Sequence, residues 1–324
     1  MENPLHTPIC DLFGIEYPIF LAGMGGVSTA PVVAAVSNAG GLGIIGGATM
    51  DAAMLRDQIH QTRDLTDKPF AVDLLAPIPD MIRPQIEVVF EEDIRIFVAG
   101  LAVPAEFIDE MHERGMLVAV MCGKVRHAQK SEAAGADVVA AQGTEAGGHT
   151  GEIGGMALVP QVVEAVDIPV LAAGGLTGGR GLIASLALGA QGAIFGTRFI
   201  ATPEAQAADG YREALVAAGD DSTVRTRSYT GKPARSIRNA RTDEWEAKAN
   251  EIQDFPMQAG VSAREGVMDY MGRGDRFDPN RTFLPAGQGA GLIHEVKPAA
   301  EVFADIVREA EETLRELTQI STTA

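Results

Sequence analysis

The fold is decided by one stretch, Gly135-Ala-Asp-Val-Val-Ala-Ala-Gln-Gly-Thr-Glu-Ala-Gly-Gly-His-Thr-Gly151. Its apolar first part has the pattern of a short buried β-strand, and four glycines follow in the nine residues Gly143 to Gly151. Ordering glycine costs conformational entropy, so a glycine-dense loop indicates close approach of the backbone to a ligand. His149 is then the side chain that faces this ligand. The alternative is a mobile surface loop with a solvated histidine.

Seven more apolar runs alternate with helical patterns at a spacing of about 20 to 30 residues, as in parallel β/α units. The eight predicted strands are Tyr17–Ala22, Leu42–Ile45, Phe70–Leu75, Ile94–Ala99, Met116–Met121, Gly135–Ala140, Ile168–Ala173 and Ala190–Phe195. Their continuous apolar character suits a sheet that is buried on both faces. Eight such units predict an α/β fold, a TIM-type (β/α)8 barrel, with an open doubly wound sheet as the alternative.

The character of the chain changes after the eighth strand. Residues from about 204 onward carry more charge and few strand-like runs, with helical patterns near Glu204–Ala218 and Asp243–Ala259. An amphipathic helix is predicted over Pro298–Leu317. We therefore expect a barrel over residues 1–203, a smaller, mainly helical substrate or lid domain over 204–285, and a C-terminal return to the barrel over 286–324.

Composition excludes several classes of protein. The formal net charge of −18 argues against a nucleic-acid partner and against an anionic membrane surface, because both require clustered Lys and Arg. The two cysteines, Cys10 and Cys122, form no CxxC pair, which excludes a zinc ribbon and a disulfide scaffold, and we expect no metal site. No signal peptide or membrane-spanning run is recognisable, so a cytoplasmic protein is expected.

In a barrel of this kind, functional residues lie in the loops that follow the strands. Glycine-rich turns after strands seven and eight, Gly174-Gly175 and Gly196-Thr197, expose backbone N–H groups where such barrels bind phosphate. Tight strand–helix packing is the other explanation for these glycines. The predicted cofactor-binding residues are Ala22, Gly23, Met24, Asp73, Gln142, Gly147, Gly148, Ala173, Gly174, Gly175, Gly196 and Thr197.

A phosphate bound at these turns places the rest of a cofactor across the barrel mouth. Asp73 and Gln142 can hydrogen-bond a polar heterocycle, and the glycines after the first strand let a flat ring lie on the backbone. No G-x-G-x-x-G follows the first strand with dinucleotide-binding spacing, so FMN is favoured over a dinucleotide.

Several motifs together resemble the nitronate monooxygenases, formerly called 2-nitropropane dioxygenases. These motifs are Pro18-Ile-Phe-Leu-Ala-Gly-Met-Gly-Gly26, Ser37-Asn-Ala-Gly-Gly-Leu-Gly43, Gln142-Gly-Thr-Glu-Ala-Gly-Gly-His-Thr-Gly151, Pro169-Val-Leu-Ala-Ala-Gly-Gly175, Leu188-Gly-Ala-Gln-Gly-Ala-Ile-Phe-Gly-Thr-Arg-Phe199, Thr230-Gly-Lys-Pro-Ala-Arg235 and Ala286-Gly-Gln-Gly-Ala-Gly-Leu-Ile293. The same framework serves FMN-dependent enoyl-acyl-carrier-protein reductases, NADH:quinone reductases and acyl-CoA oxidoreductases.

The resemblance implies FMN at the barrel mouth and identifies His149 with the family's active-site histidine, which removes the α-proton of a nitroalkane or holds the nitronate. Two positions depart from relatives: Met121, where some carry Lys, and Gly178, where many have Asp-Gly-Arg after the Gly-Gly turn. Glu145 either orients His149 or faces solvent.

Three hypotheses follow. The first is an FMN-dependent oxidation of alkyl nitronates or propionate-3-nitronate by O2. The second is an NAD(P)H-dependent oxidoreductase acting on an acyl thioester, enoyl-acyl-carrier-protein or acyl-CoA, or on a quinone. The third is a non-catalytic protein that binds flavin or phosphate. Use of NAD(P)H and assembly into a homo-oligomer are left open.

Overall fold

The computed structural model describes residues 3–76, 79–274 and 276–322. Residues 1–2, 77–78, 275 and 323–324, which fall within the three segments predicted above, lie outside the described residues. Eight parallel strands form one sheet, and a parallel bridge between Phe20 and Leu42 joins its two edges into a barrel. The predicted α/β barrel is therefore confirmed.

The barrel strands lie where the apolar runs predict them, each within two or three residues at its ends. They are β1 (Ile19–Leu21), β2 (Gly43–Gly46), β3 (Phe70–Leu75), β4 (Ile96–Gly100), β5 (Leu117–Cys122), β6 (Val138–Gln142), β8 (Val170–Ala173) and β9 (Gly192–Phe195). The sheet order β1-β9-β8-β6-β5-β4-β3-β2 follows the chain around the barrel. This order excludes the doubly wound alternative, because no strand-order reversal occurs.

Helices follow the strands and cover the outside of the barrel. They are α1 (Pro8–Phe13), α2 (Ala30–Asn38), α3 (Ala52–Leu65), α4 (Pro79–Glu91), α5 (Ala105–Glu113), α6 (Val125–Ala133), α7 (Gly155–Val163), α8 (Gly179–Ala187) and α9 (Thr197–Ile200). α1 differs from the others because its Ile9, Cys10 and Phe13 join the core inside the barrel, together with Ile44 and Leu171. It closes the amino end of the barrel and leaves the carboxyl end for a site.

The alternation of side chains along each strand decides which residues reach the barrel interior. On β3, Val72 and Leu74 join the core between sheet and helices, whereas Ala71 joins the core inside the barrel. Asp73 shares the face of Ala71, because successive strand residues point to opposite faces. The period of two therefore places this carboxyl inside the barrel, one layer below the mouth.

The segment after the barrel combines helices with a small sheet. Its helices are α10 (Asp209–Val216), α11 (Ala240–Glu246) and α12 (Met257–Arg264), and the long helix α13 (Ala299–Thr322) packs back against α8 and α2. The sequence pattern does not predict its two strands, β10 (Thr223–Thr226) and β11 (Ala234–Ile237). These pair with each other and, through β11, with β7 (Gly148–His149) in an antiparallel sheet. The strands are short and partly polar, so their pattern does not stand out in the sequence.

Candidate active site at the barrel mouth

One cavity of about 370 Å³ opens at the carboxyl end of the barrel, within the size range of small-molecule sites. All thirteen residues predicted for the site line it. They are His149, Ala22, Gly23, Met24, Asp73, Gln142, Gly147, Gly148, Ala173, Gly174, Gly175, Gly196 and Thr197. The structure thus brings together residues from five barrel strands and the loops that follow them, while their roles stay predictions.

Asp73 is a buried carboxyl group with an unused oxygen. The residue is 6% exposed, and its Oδ1 atom makes no hydrogen bond within the described residues. Burial raises the pKa of Asp73 from 3.8 to about 8, because an apolar wall disfavours the carboxylate form. At neutral pH the group is therefore a neutral acid, which can donate one hydrogen bond into the cavity.

Gly23 makes room for this carboxyl. A Cβ atom at Gly23 would lie 2.3 Å from the Cβ of Asp73, closer than packed carbon atoms can approach. The glycine after the first strand is therefore required by packing against Asp73, whatever lies in the cavity.

His149 is fixed by a hydrogen-bonded chain that runs to the second sheet. Its Nε2 atom lies 3.0 Å from Thr230 Oγ1, and the Thr230 hydroxyl donates to the carbonyl oxygen of Lys232 at 3.0 Å. Because that hydroxyl has a single proton, its oxygen accepts the hydrogen bond from His149 Nε2–H. The neutral ring therefore carries its proton on Nε2, and its Nδ1 atom keeps a free lone pair within the described part of the chain.

The charge of His149 is set by its surroundings. Burial, and secondly the positive charge of Lys232, lower the pKa of His149 from 6.5 to about 4. Backbone pairing of His149 with Ala234 holds the residue against β11, and the Phe255 ring meets the imidazole edge-on at 6.0 Å. The imidazole is neutral at pH 7 in this arrangement, which suits a base better than a fixed cation.

The glycine turns after β8 and β9 offer free backbone donors. The N–H groups of Gly174, Gly175 and Gly196 donate to no acceptor within residues 3–76, 79–274 and 276–322. Gly174 and Gly175 adopt φ values of 108° and 72°, a left-handed conformation that glycine adopts without strain. Thr197 Oγ1 accepts from Gly287 N at 2.9 Å and keeps its own proton to donate. The turns present donors of the kind that bind an anion.

The helix that follows β8 does not contribute to these donors. The first backbone N–H of α8, that of Gly179, donates to the carboxylate of Glu309 at 2.5 Å, and Glu309 also pairs with Arg180. A carboxylate from α13 thus already neutralises this helix terminus. It also explains Gly178, where a Cβ would lie 2.2 Å from Glu309 Oε2.

Glu145 forms no hydrogen bond with His149, and its carboxylate is held by the backbone and not left to solvent. Both its carboxylate oxygens accept from the backbone N–H of Gly155, at 2.9 and 3.0 Å, at the first residue of α7. The glutamate ties the loop that carries His149 to the helix that follows it. Met121, the other departure from relatives, lies half-buried in the cavity wall.

Several lining residues come from outside the predicted set. Thr230, Gly287 and Gly289 belong to two of the motifs quoted above. Those motifs could have identified them from the sequence. Tyr270 and Tyr211 belong to no such motif; Tyr270 donates to the carbonyl oxygen of Gly25 at 2.8 Å, and Tyr211 to that of Pro285. Tyr270 therefore ties the second segment to the loop after β1, and Tyr211 joins two parts of the second segment beside the cavity.

Two further surveys cover only the described residues. Among them, no group of three or more His, Cys, Asp or Glu side chains lies close enough together to hold a metal ion. No helix among them combines the length and the apolar character that crossing a bilayer requires.

Comparison with known proteins places the chain in a family. The family model described as nitronate monooxygenase matches residues 6–85 and 80–309. The chain belongs to the nitronate monooxygenase family. A probable nitronate monooxygenase of Staphylococcus saprophyticus is 35% identical, with the match covering 96% of this chain and 99% of that protein.

Other relatives show how widely the family varies. A protein of Rhodococcus jostii named (3aS,4S,5R,7aS)-5-hydroxy-7a-methyl-1-oxo-octahydro-1H-indene-4-carboxyl-CoA dehydrogenase is 39% identical over 248 residues, 76% of this chain and 70% of that protein. The structure of FabK from Thermotoga maritima superposes with a TM-score of 0.88 at 38% identity, covering 97% of this chain and 99% of that one. The two sequence relatives are named a monooxygenase and a dehydrogenase, and the protein is an oxidoreductase.

Proposed function

We propose that this protein is an FMN-dependent oxidoreductase of the nitronate monooxygenase type, which oxidises alkyl nitronates or propionate-3-nitronate with O2. One observation carries the proposal: the imidazole of His149, the buried carboxyl of Asp73 and two turns with free backbone donors line a single cavity. A base, a ring-binding acid and a phosphate site are the parts that this chemistry requires.

The residues present fit FMN. The free N–H groups of Gly174, Gly175 and Gly196, with the Thr197 hydroxyl, would hold its phosphate. The unused Oδ1 of Asp73 and the half-buried Gln142 would hydrogen-bond the polar edge of its ring. Transfer of electrons from the substrate to O2 is the chemistry that FMN supplies when it is bound.

His149 does the proton chemistry in this proposal. The lone pair on Nδ1 accepts the acidic α-proton of a nitroalkane, while the Nε2–H bond to Thr230 keeps the ring oriented. A nitronate anion beside the ring then favours the imidazolium, because an opposite charge raises a histidine pKa. Much of the cavity wall is apolar, and its low local dielectric strengthens this interaction.

The absorbance of the purified protein tests the proposal. We expect the yellow spectrum of bound flavin, turnover of a nitronate in air, and loss of that turnover in His149→Ala with the flavin retained. A colourless protein that takes up no FMN would contradict the proposal. Unchanged turnover in His149→Ala would contradict the assigned base.

A second candidate is an acyl-CoA oxidoreductase that uses NAD(P)H. It is supported by the relative named a carboxyl-CoA dehydrogenase and by the apolar side chains that the second segment adds to the cavity, Met268 and Phe283. Anaerobic mixing with NADH separates the candidates. Rapid bleaching of the flavin, without turnover of nitronates in air, would favour this second candidate.

A further inference from the structure

Four cations without ion-pair partners among the described residues lie on or near α6. Lys124 is the residue before this helix, Arg126 and Lys130 lie on it, and Lys232 lies in the turn between β10 and β11, two residues after Thr230. None of them pairs with a carboxylate of the described residues, although the chain has 44 acidic and only 26 basic residues. We call these four residues the rim cluster.

The rim cluster forms one surface. Arg126 and Lys130 are four residues apart, and His127 and Lys130 three apart, so all three share a helix face. Burial, and then the positive charges of Arg126, Lys124, Lys130 and Lys232, lower the pKa of His127. No carboxylate among the described residues forms an ion pair with any of the four cations, so unpaired positive charge is concentrated here in a protein of net charge −18.

This surface borders the cavity. Met121, three residues before Lys124, lines the cavity at the end of β5, and the backbone at Gly123 packs against Gly151 of the loop that carries His149. The ammonium of Lys232 lies 6.0 Å from the centre of the Phe255 ring, which itself contacts the His149 ring. Lys232 therefore connects the external cations with the interior of the cavity.

A surface of this kind selects phosphate groups. Lys and Arg bind phosphate by charge-assisted hydrogen bonds, and unpaired cations raise the local concentration of an anionic ligand. The patch is too small, and the protein too acidic, for a nucleic-acid strand. A single ligand that reaches from the cavity to α6 must be longer than a nitronate.

We propose that the rim cluster binds the phosphates of a ligand that carries adenosine diphosphate, and whose reactive end enters the cavity beside His149. Two sources share this chemistry, a coenzyme A thioester and NAD(P)H. The inference rests on the proposed function in one respect: the reactive end of the ligand must reach the cofactor cavity. The rim cluster would then be the phosphate site for the second candidate function and for NAD(P)H.

Calorimetric titration of the flavin-loaded protein tests the proposal, with adenosine 3′,5′-bisphosphate, coenzyme A and NADH as probes. In Lys124→Gln/Lys130→Gln, we expect the Kd of the bound probe to rise about 10-fold, because two exposed ion pairs are lost. The dependence of Kd on salt should fall in parallel. Lys68→Gln is the matched control, since Lys68 is exposed, lacks an ion pair among the described residues, and precedes β3 at the opposite end of the barrel.

The arms of the experiment distinguish the sources. Binding of coenzyme A that depends on the rim cluster supports a thioester, and NADH binding with the same dependence supports a nicotinamide nucleotide. Lys124→Arg/Lys130→Arg should restore binding, and equal circular dichroism and flavin content exclude misfolding. Absence of binding by every probe, or a Kd that changes equally in Lys68→Gln, would overturn the proposal. A protein without flavin would instead contradict the proposed function, and the same titration of the flavin-free protein would then test the rim cluster separately.

Discussion

Replacing Asp73 by Asn should stabilise the protein strongly at neutral pH and only weakly in acid. Asp73 is buried, its Oδ1 atom has no partner within the described residues, and burial is the sole cause that raises its pKa to about 8. His149, Tyr211 and Tyr270 line the same cavity, and none of them shifts the pKa of Asp73. Asn has nearly the same shape and cannot ionise, so it imitates the neutral acid.

The magnitude follows from the two pKa values of Asp73. The folded pKa lies above the unfolded one, so the stability that Asp73 contributes is complete below about pH 3.8 and is lost as the pH rises to about 8. At about 1.4 kcal/mol per pH unit, the loss reaches about 4 kcal/mol at pH 7 and about 2 kcal/mol at pH 5. Asp73→Asn recovers these amounts, so its advantage should grow by about 2 to 3 kcal/mol between the two pH values.

Urea unfolding of the FMN-free protein, followed by circular dichroism at pH 5 and pH 7, measures this difference. Any difference in how the Asn amide packs changes the free energy of unfolding equally at both pH values, so it cancels from the comparison. The titration of His149 cancels as well, because it occurs in both proteins. For 324 residues the change corresponds to about 4 °C in Tm. If the extra free energy of unfolding of Asp73→Asn grew by less than about 1 kcal/mol from pH 5 to pH 7, burial would not raise the pKa of Asp73 as argued. One pKa unit corresponds to about 1.4 kcal/mol.

Three further variants probe the cavity. Thr230→Val should lower kcat about 3- to 10-fold, because the hydrogen bond that fixes the proton on His149 Nε2 is lost. His149→Ala should lower kcat about 10²- to 10⁴-fold and leave the flavin spectrum unchanged. Gly23→Ala, whose methyl group would overlap the Asp73 side chain, should cost about 1–3 kcal/mol of folding free energy and weaken FMN binding. Steady-state kinetics, absorbance and fluorescence titration with FMN measure these effects.

Each of these variants has its own control. Thr230→Ser keeps the hydroxyl and should recover kcat; equal losses in the Ser and Val variants would show that packing, and not the imidazole proton, matters. A flavin-free His149→Ala protein would place the histidine in cofactor binding. Gly219→Ala, which has no neighbour within 3.4 Å of the added methyl group, controls for glycine substitution, and an equal cost there would contradict the packing argument at Gly23.

Much of the cavity follows from the sequence because parallel strands end at the same edge of a barrel. Once the apolar runs fix the strands, the residues that follow them must meet at that edge, as Gly174, Gly196 and Gln142 do. The period of two along β3 then turns Asp73 inward. These inferences need only local pattern and the geometry of a closed sheet.

Contacts between segments far apart in the chain do not follow in this way. Glu309, about 130 residues from Gly179, neutralises the start of α8, and nothing near either residue indicates the pairing. Glu145 looks like a partner for His149 in the sequence, yet its carboxylate accepts from the Gly155 N–H. Side-chain partners depend on which loops fold over one another, which sequence spacing does not specify.

The sequence by itself determined the barrel, its family and those residues of the mouth that lie at the strand ends, because apolar periodicity and strand-end loops are local features. Only the tertiary structure decided the state of His149. The pairing of β7 with β11 brings Thr230 and Lys232 to the imidazole from 81 and 83 residues away. That contact fixes where the proton lies and, together with burial, keeps the ring neutral, because hydrogen-bond geometry and desolvation exist only once distant segments are packed together.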